Sequence, residues 1–224
     1  DVTVAVQPVT REAAPRLEIG AALEARIRGR FPFSFHPGQE RAWAEIRADL
    51  SRGTPMARLL QGDVGSGKTA VAAAAALAAI AQGFQVALMA PTQVLAAQHA
   101  ATFSGWLRDS RVRLGLLSGG GGEPRLRELL AAGELDLAIG THALIQDGVS
   151  FRRLGLVVID EQQRFGVAQR ARLRAGGKDP HLLVLSATPI PRTLALTLYG
   201  ALDVSRLEGR PPGRRPAATR VLEG

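Results

Sequence analysis

Residues 62–69, Gly62-Asp63-Val64-Gly65-Ser66-Gly67-Lys68-Thr69, have the spacing Gly-x-x-x-x-Gly-Lys-Thr. Glycines at these positions let the backbone curl until successive N–H groups face one phosphate. A helix opening at Lys68 adds the positive end of its dipole. In such a loop Lys68 reaches the β- and γ-phosphates and the Thr69 hydroxyl ligates Mg²⁺. A second pair of residues, Asp160-Glu161, closes the apolar run Val157-Val158-Ile159. Carboxylates at the C-terminal end of a buried parallel strand lie on the same sheet edge as a phosphate loop. There Asp160 holds Mg²⁺, directly or through water, and Glu161 orients and deprotonates the attacking water. The plainer alternative makes the two acids caps of a following helix. Taken together, the two motifs describe a site for hydrolysing ATP with Mg²⁺, without saying what the hydrolysis drives.

Both motifs need a strand on one side and a helix on the other, and the sequence supplies them. Strands are expected at Ala57–Gln61, Gln85–Ala90, Val112–Leu117, Leu135–Ile139, Leu156–Ile159 and Leu182–Ser186. Helices are expected at Gln39–Leu50, Lys68–Gln82, Gln93–Leu107, Glu123–Ala132 and Gly166–Arg174, with a further one within Leu17–Arg28. Strands apolar throughout are buried on both faces, and strand–helix alternation gives a mostly parallel sheet with helices on both faces, an α/β fold. The organisation expected is an N-terminal arm over 1–30, one domain over 31–204, and a Pro- and Arg-rich linker over 205–224.

The chain has 224 residues and 46% hydrophobic composition, enough for a full core. It has no cysteine, which excludes disulfides, a thiol nucleophile and Cys-based metal sites, and fits a reducing compartment. No apolar run is long enough to cross a membrane, and residues 1–10 lack the pattern of a secretory signal. The net charge is +8, from 28 basic and 20 acidic residues. That excess suits a polyanionic partner. Arg164, Arg170, Arg172, Arg174 and Lys178 form a cluster without acids, either a solvated helix face or a face toward DNA.

Asp160-Glu161-Gln162-Gln163 resembles the DExx box of superfamily 2 helicases, and Ser186-Ala187-Thr188 resembles their Ser-Ala-Thr motif. Ala90-Pro91-Thr92 and Gly140-Thr141-His142 are similar to two of their DNA-contacting motifs. Gln39 sits where such enzymes have an adenine-reading glutamine, with Phe33 or Phe35 upstream to stack on the base. More specifically, residues 31–216 resemble the RecG family of branched-DNA translocases. The strings that carry this are Arg58 to Thr69, Gly140-Thr141-His142-Ala143-Leu144-Ile145-Gln146, Arg164-Phe165-Gly166-Val167 and Ser186 to Gly200. The transcription-repair coupling translocases share part of the pattern. They usually carry Glu-Glu-His at the positions of Glu161-Gln162-Gln163 and lack the Leu198-Tyr199-Gly200 ending. RecG enzymes usually have His at the position of Gln163. The Gly119–Gly122 run departs from the family's basic loop.

The resemblance implies a RecA-like lobe, with Lys68, Asp160, Glu161 and Gln163 catalytic and Ser186 and Thr188 linking the nucleotide to lobe movement. It also implies DNA contacts at Pro91, Thr92, Gln93, Gly119, Thr141 and His142. Hydroxyl and small residues at strand ends suit phosphate contacts that position DNA without reading bases, although an N-cap role fits each equally. The implied partners are branched DNA, a second RecA-like lobe and an N-terminal wedge domain, in the bacterial cytoplasm beside the nucleoid. The arginine-rich motif of a second lobe does not appear after Arg192, so the expectation is a first lobe that is near-inactive alone. A stand-alone adaptor that binds nucleotide or DNA without turnover is the competing reading.

Overall fold

A computed structural model describes residues 13–117, 123–160, 179–188 and 202–209. The strands are β1 (Ala57–Gly62), β2 (Gln85–Met89), β3 (Leu114–Leu117), β4 (Leu137–Gly140), β5 (Leu154–Asp160), β6 (His181–Ser186) and β7 (Asp203–Leu207). The helices are α1 (Ala21–Arg28), α2 (Pro37–Leu50), α3 (Lys68–Ile80), α4 (Gln93–Trp106) and α5 (Glu123–Ala132), with a single 3₁₀ turn at His142–Ile145. The strands form one sheet in the order β3-β4-β2-β5-β6-β1-β7. Every strand pairing in it is parallel.

Alternation along the strands splits the core into two layers. Val86, Leu88, Leu156, Val158, Leu183 and Leu185 face the layer that holds Trp43, the α3 alanines and Phe103. Ala87, Met89, Val157, Ile159, Leu182 and Val184 face the layer of Leu130, Leu144 and Phe151. Helices α1 to α4 therefore cover one face, and α5 with the 3₁₀ turn lies against the other. Helix α3 has ten consecutive buried residues, Ala70–Ala79. Its run of alanines is apolar on every side, the pattern of a helix enclosed by its neighbours.

Most expected elements are present with their ends shifted. Helix α2 starts at Pro37 because His36 caps it, Pro37 takes the first turn, and Gln39 completes a capping box. Strands β3 and β4 start two residues late. There Asp136 holds the Arg113 backbone N–H at 2.8 Å and its guanidinium at 2.8 Å, fixing side chain to backbone just before the ladder begins.

Strand β7 was not among the expected strands, and it carries the sheet past residue 204, where the sequence reading ended the domain. Its Asp203, Ser205 and Arg206 break the apolar run that marks an interior strand, as befits an edge. Arg58 explains the polar inward position: it donates to Asp49 at 2.7 Å and to Ser205 at 2.9 Å, and so ties β1, α2 and β7 together.

The arm, where described, is not separate from the core. Leu17, Ile27 and Phe31 are buried in the same layer as the sheet. Leu17 N–H donates to Leu50 O at 2.9 Å. His181, fully buried at the start of β6, takes the Met56 N–H on Nδ1 at 3.0 Å, so its proton is on Nε2, which donates to Pro15 O at 2.7 Å. Burial holds the His181 pKa below its ordinary value, against smaller opposing pulls from Pro15 O and Asp49. Helix α1 is anchored through Glu24, which accepts from Trp43 Nε1 at 2.8 Å, from Arg28 and from Arg47. Burial pushes the Glu24 pKa up, but those three donors together bring it below the ordinary value.

Candidate active site

The loop between β1 and α3 takes the curled form that its glycines allow. Gly65 and Gly67 have φ of 80° and 85°, in the left-handed region, and Gly67 caps α3. A side chain at Gly67 would collide with Gln39 Nε2, and a Cβ at Gly62 would stand 2.7 Å from Leu207 Cβ and from Ser66 Oγ. The turn is therefore closed from outside by α2 and β7.

Residues 36–39 hold its carbonyls. Gly38 N–H donates to His36 Nδ1 at 3.1 Å, which leaves His36 Nε2–H to donate to Ser66 O at 3.1 Å. Gln39 accepts the His36 N–H at 3.0 Å and donates from Nε2 to Gly67 O at 3.3 Å.

Inside the loop, Lys68 Nζ donates to Gly62 O at 2.6 Å and to Asp63 O at 3.0 Å. Ser66 Oγ is buried and has no hydrogen-bond partner among the described residues. A cradle with an orphaned hydroxyl, a primary ammonium and a helix N-terminus fits a polyphosphate. Thr69 on the first turn of α3 and Asp160 at the end of β5 supply the hydroxyl and carboxylate oxygens that suit Mg²⁺. Asp160 pairs in register with Leu185, and Leu185 with Leu60, so the carboxylate stands two strands from the loop, roughly 10 Å at ordinary strand spacing.

Two residues near this edge were not named from the sequence. His99, on α4, hydrogen-bonds through Nε2 to Asp160 Oδ2. Gln61, which pairs in register with Ser186, donates from Nε2 to Thr188 O at 3.3 Å. Ser186 Oγ donates to the same carbonyl at 2.9 Å, so Ser186 and Thr188 form a small knot beside the loop entry. Neither His nor Gln in these positions has a spacing signature. Each is found only once the strand order puts β5 and β6 next to their neighbours. A cleft of about 620 Å³ opens here, lined by Gln61, Gly62, Asp63, Ala187 and Arg206 to Gly209.

Of the two phenylalanines expected to stack, Phe35 is buried and Phe33 is 44% exposed. Phe35 is buried against Phe31 with the Arg28 guanidinium 4.5 Å above its ring. Phe33 packs with Phe31 and with Trp106 at the far end of α4.

Of the expected DNA-contacting residues, Pro91, Thr92, Gln93, Thr141 and His142 lie at the same sheet edge, farther along it. Ala90 N–H donates to Gly140 O at 2.8 Å and so joins the β2 corner to the β4 corner. Thr92 caps α4 through Leu95 N–H, and Thr92 and Gln93 are exposed. Thr141 is buried and caps the 3₁₀ turn, whereas His142 is exposed. Glu161, Gln163 and Gly119 lie outside the described residues, as do the Arg164–Lys178 cluster and the helix expected at Gly166–Arg174.

Residues 36–197 match the DEAD/DEAH box helicases. The chain belongs to that family. Among curated helicases it is 54% identical over 213 residues to the ATP-dependent DNA helicase RecG of Acidithiobacillus ferridurans, covering 93% of this chain and 31% of that protein. It is 48% identical over 220 residues to the RecG of Aquifex aeolicus, covering 96% and 28%. A solved structure of RecG bound to a three-way DNA junction superposes with a TM-score of 0.78 at 43% identity, covering 91% of this chain and 28% of that one. The chain is thus RecG-like within the helicase family, with the RecA-like α/β lobe expected, and it spans under a third of the length of these relatives. Of the two families weighed from the sequence, RecG is the one these relatives favour.

Proposed function

We propose that the chain is the ATP-binding lobe of a RecG-like enzyme that couples ATP hydrolysis to translocation on, and remodelling of, branched DNA. What carries this reading is the arrangement of Lys68, Thr69, Asp160 and the Ser186–Thr188 knot on one edge of a parallel sheet, in a chain 54% identical to a RecG helicase. The loop amides and Lys68 bind the β- and γ-phosphates, and Thr69 with Asp160 holds Mg²⁺. Mg²⁺ held by Thr69 and Asp160 would supply Lewis-acid stabilisation of charge on the phosphate oxygens. Glu161 orients the attacking water and takes its proton, and Gln163 with Ser186 and Thr188 passes the change on to a second lobe. Pro91, Thr92, Gln93, Gly119, Thr141 and His142 hold the DNA backbone. The relative whose structure holds a three-way junction supports a branched substrate. Further partners are a second RecA-like lobe and a wedge domain in the parent protein, in the bacterial cytoplasm. Among the described residues no helix is long and apolar enough to cross a membrane.

The test is steady-state ATPase of the intact parent protein with and without forked DNA. Glu161→Gln should retain nucleotide affinity and lose turnover by about 10²–10⁴, the contribution of a positioned general base. Lys68→Ala should weaken nucleotide binding itself. Hydrolysis that ignores DNA, or a Glu161→Gln rate within about threefold of the original, well short of that range, would overturn the assignment.

A further inference from the structure

Helix α4 turns one face to the sheet, with Ala96, His99, Ala100 and Phe103 buried on it. Ala96, Ala100 and Phe103 are core residues. His99 is not a packing choice of the same kind. It is 9% exposed, and its Nε2 is hydrogen-bonded to Asp160 Oδ2 at the end of β5. An ionised carboxylate only accepts, so Nε2 carries the proton and donates. Rotation of an aspartate carboxylate about its last torsion is ordinarily broad. A donor fixed on a packed helix narrows it, and it commits Oδ2, leaving Oδ1 as the oxygen His99 does not engage. Donors that hold metal-binding carboxylates typically govern metal affinity by 10–100-fold without touching the metal.

We propose that His99 is a positioning residue for Asp160, setting the carboxylate from α4 so that it meets the Mg²⁺ of Mg–ATP already oriented. The proposal rests on the reading of Asp160 as a cation-holding residue and extends it to a residue on another element. A merely structural histidine would change folding stability when replaced. A positioning histidine changes how nucleotide binding depends on Mg²⁺.

The experiment titrates a fluorescent ATP analogue onto the intact parent protein across a range of Mg²⁺ concentrations and in EDTA. In His99→Ala the Mg²⁺ concentration at half-saturation should rise by about 10–100-fold, with affinity in EDTA unchanged. His99→Gln carries an amide N–H to nearly the same place and should recover most of the loss. His99→Leu fills the position without a donor and should behave as alanine does. Unaltered Mg²⁺ dependence in His99→Leu overturns the proposal whatever alanine does to folding, and so does a glutamine variant as weak as leucine. A different result, nucleotide binding by the unaltered protein that ignores Mg²⁺, would instead remove the reading of Asp160 and of the phosphate site.

Discussion

Gln39 donates from Nε2 to Gly67 O and accepts the His36 N–H on Oε1, so one amide closes the cap of α2 and clamps the phosphate loop. An amide has two protons and two lone pairs. Those two bonds leave one proton and one lone pair, the set with which a glutamine pairs N7 and N6–H of adenine, on a side chain that is 3% exposed, so base reading requires the amide to be uncovered. The two roles separate by measurement. Gln39→Ala should lower the nucleotide-free stability by about 1 kcal/mol, the cost of a lost cap. It should also reduce a preference for ATP over GTP in the parent enzyme. Equal turnover of ATP and GTP by the unaltered protein would remove the base-reading role and leave the clamp standing. Of the two phenylalanines placed upstream for stacking, Phe35 is buried against Phe31 under the Arg28 guanidinium, a choice made by tertiary packing that no local pattern records, whereas Phe33 touches Phe31 and Trp106 and stays 44% exposed.

His181 shows how elements far apart in sequence share one polar buried group. It joins the segment at Pro15 to the residue before β1 and to the start of β6. Burial depresses its pKa, so the folded state keeps it neutral while the unfolded chain protonates it below about 6.5. The stability this confers is complete above about pH 6.5 and is lost as the pH falls from there through the lower folded value, by up to about 1.4 kcal/mol per unit. Denaturation midpoints between pH 7.5 and 5.5 should fall less steeply in His181→Gln than in the unaltered chain, and parallel slopes would refute the assignment. Such ties are what the sequence hides. The six apolar strands and the Ala-rich helix were legible because burial on both faces leaves continuous apolar runs. Strand β7 was not, because Asp203 and Arg206 on an edge strand imitate a loop. Lys68, Thr69 and Asp160 could be singled out as candidates because the Gly-x-x-x-x-Gly-Lys-Thr spacing and an acid at the end of an apolar run are local patterns, and the structure puts them on one sheet edge. His99 and Gln61 could not, since their partners are chosen by strand order.

At the scale of the whole molecule, the described part of the candidate phosphate site is built on one sheet edge. Among the described residues the candidate phosphate-binding groups, Lys68, Thr69 and Asp160, lie on that edge, and the described lining of the 620 Å³ cleft beside it comes from β1, β7 and the loops after β1, β6 and β7. The chain spans under a third of its RecG relatives. Charge developing on the transferred phosphoryl group in related phosphate-loop enzymes is met by an arginine finger, worth about 10³–10⁵ in rate. Water on an open side also screens the remaining electrostatic contributions. Residues 1–224 alone should therefore bind Mg–ATP weakly and hydrolyse it slowly. They should also bind DNA through backbone contacts, with affinity falling steeply as salt rises, since the net charge is +8 and the candidate contacts are to phosphates. An ATPase assay on this chain with and without forked DNA, repeated after the proposed second lobe is supplied in trans or in cis, checks the expectation. DNA-stimulated turnover by the isolated chain at the rate of the full enzyme would contradict it, as would a two-lobed protein that gains no activity.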